Sequence, residues 1–160
     1  EPSCFSMFTE DYRELGIEGA ESIAKRCALL EDFVFREDQA SDPIRFSNNH
    51  QPVAVHLHCH CKALVPSSHS LRYIKAMFPN NTILDSGCCG MAGAFGALDS
   101  KYELSVQIAA PLVASIESLP PETIILASGT SCRQQIHHLT GRPALHPLEG
   151  IYAQDLGHSI

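Results

Sequence analysis

Two adjacent thiols, Cys88 and Cys89, stand in the segment Asp85-Ser86-Gly87-Cys88-Cys89-Gly90-Met91-Ala92-Gly93-Ala94-Phe95-Gly96, where glycine recurs at every third position. Neighbouring side chains diverge in helices and strands, so two consecutive cysteines serve one site only where glycines let the backbone turn tightly around it. A shared metal centre is one chemistry that asks for this. A second reactive run, His56-Leu57-His58-Cys59-His60-Cys61, places three of the nine histidines and two of the seven cysteines within six residues. Together with Cys132, the thiolates of Cys59, Cys88 and Cys89 make four soft ligands, suited to an iron-sulfur cluster or a tetrahedral zinc. Backbone N–H groups of the turn around Gly87, Gly90 and Gly93 are placed to donate to sulfur and to stabilise a negatively charged cluster.

Spacing leaves the metal open. Between Cys59 and Cys88 lie 28 residues, and between Cys89 and Cys132 lie 42, which is neither a zinc ribbon nor a ferredoxin run. His60, beside Cys59, is a candidate ligand or a hydrogen-bond donor to a cluster sulfur. His56 and His58 alternate with Val55 and Leu57 and are read as polar side chains with local partners. Cys27 falls on a helical apolar face and is read as core, while Cys61 is balanced between core and ligand. A cysteine nucleophile would need an oriented imidazole and an oxyanion hole, and no residue pattern marks them. The glycine ladder is neither G-x-G-x-x-G nor a P-loop. Thiol-disulfide exchange through the vicinal pair stays open as a third chemistry.

These residues need elements to position them, and the hydrophobic pattern supplies a set. Phe5, Phe8 and Tyr12 recur at helical spacing, Gly16 interrupts, and Ile23, Cys27, Leu30 and Val34 resume, which predicts a helical lead-in over 5–35. The polar stretch from Arg36 to Gln51 reads as a loop. Strands are predicted over 53–58, 82–84 and 123–127, with a short last one at Ala144-Leu145. Between them, a helix capped by Ser67 or Ser68 carries Leu71, Ile74 and Phe78. A longer one opens on the capping box Ser100-x-x-Glu103, carries Leu104, Ile108, Leu112 and Ile116, and kinks at Pro111. Another begins at Gln134 and stops at Gly141, with Ser128 to Cys132 as the loop before it. His137 and His138 are expected to be solvated, and His146 to be structural.

Strands alternating with helices imply a three-layer α/β fold, a parallel sheet with helices on both faces. In such sheets ligands bind outside the carboxyl ends of the strands. Cys59, the Cys88-Cys89 pair and Cys132 each follow a different predicted strand at that end, so residues far apart in sequence converge on one rim.

Composition sets the frame. With 160 residues, 44% of them hydrophobic, the chain can bury a single core without disulfides. A net charge of −7 with 11 Lys+Arg, and no basic cluster, argues against nucleic acid as a partner. No apolar run is long enough to span a bilayer. An odd cysteine count without a signal peptide favours a reducing compartment, with the cytoplasm as default. The chain opens at Glu1-Pro2 without an initiator Met, with Cys4 close behind, so the expectation is one domain, residues 1–160, cut from a longer polypeptide.

The sequence resembles the cysteine-rich CCG domain found in heterodisulfide reductases, in glycolate oxidase iron-sulfur subunits, in the small subunit of anaerobic glycerol-3-phosphate dehydrogenase and in the C-terminal part of FAD-linked D-lactate dehydrogenase-type oxidases. The resemblance is carried by His58-Cys59-His60-x-Lys62-Ala63-Leu64, by Ser86-Gly87-Cys88-Cys89-Gly90-Met91-Ala92-Gly93-x-Phe95-Gly96, and by Ser128-Gly129-x-Ser131-Cys132-Arg133-x-Gln135-Ile136. It implies a [4Fe-4S] cluster, which in this family can be non-cubane, with Cys59, Cys88, Cys89 and Cys132 as ligands. Gly129 stands where the family pattern has a fifth cysteine, which makes an ordinary cluster, zinc, or recruitment of Cys4, Cys61 or a histidine such as His60, an alternative to the five-ligand non-cubane form. Glu1-Pro2-Ser3-Cys4 resembles the end of a preceding copy of the repeat.

The resemblance implies an electron-transfer module of a flavin-linked oxidoreductase for 2-hydroxy acids of the lactate or glycolate type. FAD would then sit on a separate domain or subunit, itself the partner, with peripheral attachment to the inner membrane through partners. Homodimerisation of the fragment is a further expectation, as is, from a different class, a zinc-stabilised structural domain without redox activity.

Overall fold

The strands are short and apolar almost throughout, a composition that selects a parallel sheet covered on both faces. β1 (Val53–His56), β2 (Asn81–Ile83), β3 (Ile124–Ala127) and β4 (Ala144–Leu145) lie parallel in the order β2-β1-β3-β4. The computed structural model describes residues 1–30, 33, 51–64, 67–84 and 86–156. Val34, Asp85 and the expected loop up to residue 50 fall outside the described residues.

From β1 the chain passes through α4 (Cys59–Leu64) and α5 (Ser67–Met77) to β2, then returns past β1 through α6 (Asp99–Glu117) to β3. It continues through α7 (Thr130–Thr140) to β4 and ends in α8 (Pro147–Leu156). The strand order therefore reverses between β1 and β3, and the carboxyl ends of these two strands form the crevice of a topological switch point.

Period-two alternation divides the core. Val53, Val55 and Leu126 pack with Tyr73, Ile74, Met77 and Phe78 of the α5 side, with Ile151 of α8 alongside. Ala54, Ile125 and Ala127 face the other way, onto Leu112 and Ile116 of α6 and Cys132 and Ile136 of α7. His56 shares Ala54's side of β1 and so points toward α6 and α7. The three-layer α/β architecture expected from the sequence is the one observed.

Several local expectations are corrected. The long helix starts at Asp99, its N-cap Leu98 is extended, and no side chain caps it, so Ser100 and Glu103 form no capping box. Its buried face is Ser105, Ala109, Leu112 and Ile116, while Leu104 and Ile108 are exposed. The small Ser105 faces the sheet because the glycine loop presses against it: a Cβ on Gly90 or Gly96 would run into Ser105. Gln135 Nε2 donates to the buried Ser105 Oγ at 3.0 Å. Pro111 lies inside this helix, where the sequence placed it.

At the amino end, α1 (Pro2–Ser6), a π-helical turn (Met7–Asp11) and α2 (Tyr12–Glu14) run together, and Gly16, with φ +66°, breaks the helix as expected. α3 (Ala20–Ala24) stops before Cys27, which is half-buried in an irregular segment rather than in a helical core face. Leu29 is buried instead, packing with Cys61 and Phe5. Helix α7 begins at Thr130, so Cys132 lies in its first turn and not in a loop before it.

His146 is structural, and the reason is specific. It precedes α8, its Nδ1 accepts the Leu148 N–H at 3.3 Å, and Glu149 reaches back to the His146 N–H at 2.7 Å, a capping box with imidazole in the usual hydroxyl role. Burial first, then the Arg133 charge, lowers its pKa from the ordinary 6.5. The neutral ring's contribution is thus complete above the unfolded value near 6.5 and is lost as pH falls toward the lowered folded value. We expect His146→Ala to cost about 1 kcal/mol at pH 7.5. We also expect it to flatten the decline in urea-unfolding free energy between pH 7 and 5.5. An unchanged pH profile would count against this role.

Candidate metal centre

Each strand of the switch-point crevice delivers reactive side chains where it ends. His56 is the last residue of β1, and His58 and Cys59 open α4. The glycine loop after β2 brings Ser86, Cys88 and Cys89, and the turn after β3 brings Gly129 and then Cys132. His56 Nε2 or Nδ1 and the sulfurs of Cys89 and Cys132 lie within 4.8 Å of one another, all three residues buried. Cys59 sits against Cys88, and both lie close enough to Cys132 to influence its ionisation. The four thiols singled out in the sequence are therefore brought together, and no disulfide joins any of the seven cysteines.

The loop geometry explains the glycines. Gly90, with φ +88°, takes a left-handed conformation and passes against the Ser105 carbonyl, and its N–H donates to Cys88 Sγ at 3.3 Å. The Met91 N–H serves Cys89 in the same way. Gly87 and Gly93 turn the same loop with φ of +21° and +68°, and Lys62 Nζ ties α4 to it by donating to the Gly87 carbonyl at 3.2 Å. Backbone donors thus meet the adjacent sulfurs, as a negative centre requires.

Electrostatics single out one sulfur. The Cys132 thiol hydrogen-bonds to Cys89 and, with His56 beside it, holds Cys89 down to about 4, so Cys89 is a thiolate at neutral pH. Cys132 is pushed up by that same bond and by burial, and keeps the proton. The pair titrates as a unit with one shared proton. Burial, and then the charge of Cys88, raises Cys59. A bound cation would displace these protons, since metal ligation requires thiolates.

His58 has a role its sequence context did not suggest. Its Nδ1 accepts the His60 N–H at 3.1 Å, capping α4, and its Nε2 lies 3.5 Å from Ser3 Oγ. Burial, then the neighbouring His60, lowers its pKa. The ring also fills the space in front of Gly129, where an added Cβ would stand 2.8 Å from His58 Nε2 and 3.3 Å from Cys132 Sγ. A side chain at 129 would face the thiols, but the imidazole is already there. We expect Gly129→Cys to destabilise the metal-free protein by about 1–3 kcal/mol by overpacking. With His58→Ala the penalty should be less than additive. Additive losses in urea unfolding would contradict this packing.

The remaining sequence candidates lie apart from the thiols or at their edge. Cys4 is exposed and lines a cavity of about 310 Å³ with Cys27, Phe8 and His146. Cys61 is buried beneath α4 against Leu29. His60 stacks edge-on against His58 at 5.1 Å, and its buried Nδ1 has no hydrogen-bond partner among the described residues. His137 and His138 are exposed, as expected. The residue that sequence reasoning missed is His56. The signal was its position on an interior parallel strand, which leaves no solvent side for an imidazole. Ser86 Oγ lies 3.4 Å from its Nδ1.

The amino-terminal segment covers this end of the sheet. Gly129 has no side chain to cap α7, and Glu1 supplies the cap from the far end of the chain, accepting the Thr130 N–H at 2.8 Å and its Oγ1–H at 2.9 Å. Burial pushes the Glu1 carboxyl up, and these bonds more than offset it, leaving the pKa lowered.

Fold and site together define a parallel α/β domain whose switch point carries a buried thiol–imidazole cluster. One of the subunits of anaerobic glycerol-3-phosphate dehydrogenase from Escherichia coli K12 is 31% identical over 97 residues, 60% of this chain and 24% of that protein. D-2-hydroxyglutarate dehydrogenase of Pseudomonas putida is 29% identical over 159 residues, 96% of this chain and 15% of that protein. Its Pantoea ananatis counterpart is 36% identical over 69 residues, 42% and 7% of the two chains. The chain is similar to a part of these dehydrogenase proteins, in agreement with its resemblance to the cysteine-rich CCG domain. It spans less than a quarter of their length. No family model matches it, and no solved structure does.

Proposed function

We propose that this domain is the electron-transfer module of a flavin-linked 2-hydroxy-acid oxidoreductase. Cys59, Cys88, Cys89 and Cys132 would hold an iron-sulfur cluster of the [4Fe-4S] type, cubane or non-cubane. The observation that carries the reading is the convergence of four thiols from three strand ends, with backbone donors already aimed at the Cys88-Cys89 pair. Likeness to two kinds of dehydrogenase supports the redox half of it. When bound, the cluster supplies one-electron storage. The protein's own part is to exclude water through burial, to orient the sulfurs and to offset their charge with N–H dipoles. FAD would belong to a separate domain or subunit, the partner of this one, with the whole residing in the cytoplasm or held peripherally at the inner membrane by partners. Among the described residues no helix is long and apolar enough to cross a membrane.

A second reading is favoured by one observation. Three donors within 4.8 Å of one another also suit a single tetrahedral zinc, with sulfur ligands about 2.3 Å from the ion. Metal and acid-labile sulfide analysis of anaerobically purified protein decides between them. Iron with matching sulfide, and a visible band bleached by dithionite, is the expected result. Stoichiometric zinc with no sulfide would establish the structural reading, and neither metal would overturn both.

A further inference from the structure

His56 is 1% exposed, on an interior strand between two apolar layers, and among the described residues its Nε2 meets no nitrogen or oxygen partner, only the Cys89 sulfur beside the ring. A buried imidazole nitrogen with so poor a partner is costly, whereas any aliphatic residue of similar size would fit a doubly covered strand without that penalty. That nitrogen belongs to a ring whose ligand atom lies within 4.8 Å of the sulfurs of Cys89 and Cys132. The other ring nitrogen, Nδ1, lies 3.4 Å from Ser86 Oγ, and Ser86 is itself buried. Ser86 enters from the loop after β2, 30 residues away, so two separate segments converge to orient one imidazole.

We propose that His56 binds the metal directly through Nε2, adding a nitrogen donor to the thiolate set, and that Ser86 is the positioning residue that accepts Nδ1–H and leaves the Nε2 lone pair directed at the sulfurs. The proposal rests on the reading of this rim as a metal centre. It changes what kind of centre forms. A neutral imidazole where a fifth thiolate could stand leaves the shell less negative than five thiolates would, which raises its reduction potential.

The test uses protein labelled with 15N-histidine, purified anaerobically, loaded with ferrous iron and sulfide, and reduced with dithionite. Pulsed EPR is expected to show one strongly coupled histidine nitrogen, retained in His60→Ala and lost in His56→Ala. Because His56→Ala leaves a cavity in the core, His56→Cys serves as the second variant: it should keep its iron, lose the nitrogen coupling and shift the midpoint potential downward. Ser86→Ala should weaken iron binding roughly tenfold while keeping the coupling. A centre that forms with full iron and no strongly coupled histidine nitrogen overturns the proposal, since Nε2–H would then merely donate to a sulfur. Coupling that persists in His56→Cys overturns it as well. Wild-type protein that takes up no iron overturns the metal-centre reading itself, and is told apart by iron content alone.

Discussion

Cys89→Ser is expected to abolish metal binding, with bound iron and visible absorbance falling to background while Cys27→Ser leaves both unchanged. Cys89 is the electrostatic hub of the rim: it holds the thiolate, receives the Cys132 hydrogen bond and the Met91 N–H, and lies beside His56. Its charge also acts on Cys59 and Cys132, two of the other ligand candidates. Serine supplies a hard hydroxyl with a far higher pKa and cannot offer a soft anion to the same cation. Cys27 sits in an irregular segment away from the thiol group, half-buried, so its loss removes only a small apolar contact. Iron retained by Cys89→Ser would mean that the centre lies elsewhere.

Gly90→Ala is expected to be the most damaging single methyl in the loop. With φ at +88°, an L-residue pays about 1–2 kcal/mol in the left-handed region. The new Cβ also meets the Ser105 carbonyl, which belongs to helix backbone and cannot move aside as a flexible side chain could. Overpacking of this kind adds about 1–3 kcal/mol, for a total of about 2–5 kcal/mol in urea unfolding of the metal-free protein. The Gly90 N–H would also leave Cys88 Sγ, so iron content should fall. Gly93→Ala is the control: its φ is +68° but nothing among the described residues lies within 4 Å of its Cβ, so only the conformational cost of about 1–2 kcal/mol applies. Equal losses from the two variants would show that the close approach to Ser105 does not matter.

Much of the fold was legible because period-two and period-3.6 patterns are local. The runs at 53–55 and 124–127 are apolar on both faces, which announces an interior parallel strand, and chain order alone then puts Cys59, Cys88, Cys89 and Cys132 at one rim. Other features depend on what packs across. Leu104 and Ile108 continue a stripe with Leu112 and Ile116, yet Ser105 and Ala109 are buried in their place because the glycine loop needs small residues beneath it. The Ser100-x-x-Glu103 pattern looks like a cap, but the helix starts at Asp99, two residues too early for Ser100 to serve.

The site divides in the same way. Glycine spacing marks the Cys88-Cys89 loop without any tertiary knowledge, since only a tight turn makes neighbouring thiols useful. His56 escaped because its apolar surroundings and its contact with Ser86 arise from segments 30 residues apart. His58 escaped for a similar reason: that its ring occupies the space in front of Gly129 is a contact across 71 positions, and no local pattern encodes it. Cys132 was placed at the right rim but in the wrong element, because Gly129 offers no side-chain cap and Glu1, from the other end of the chain, starts helix α7 in its place.

The central claim is that one metal centre forms where the carboxyl ends of β1, β2 and β3 meet. Anomalous diffraction at the iron edge, from crystals of the anaerobically purified protein, tests it most directly. Anomalous density is expected bonded to the sulfurs of Cys59, Cys88, Cys89 and Cys132, within the shell that His56 and the Gly90 and Met91 N–H groups complete. Anomalous density at Cys4, or at any place away from that crevice, or none at all, would contradict it.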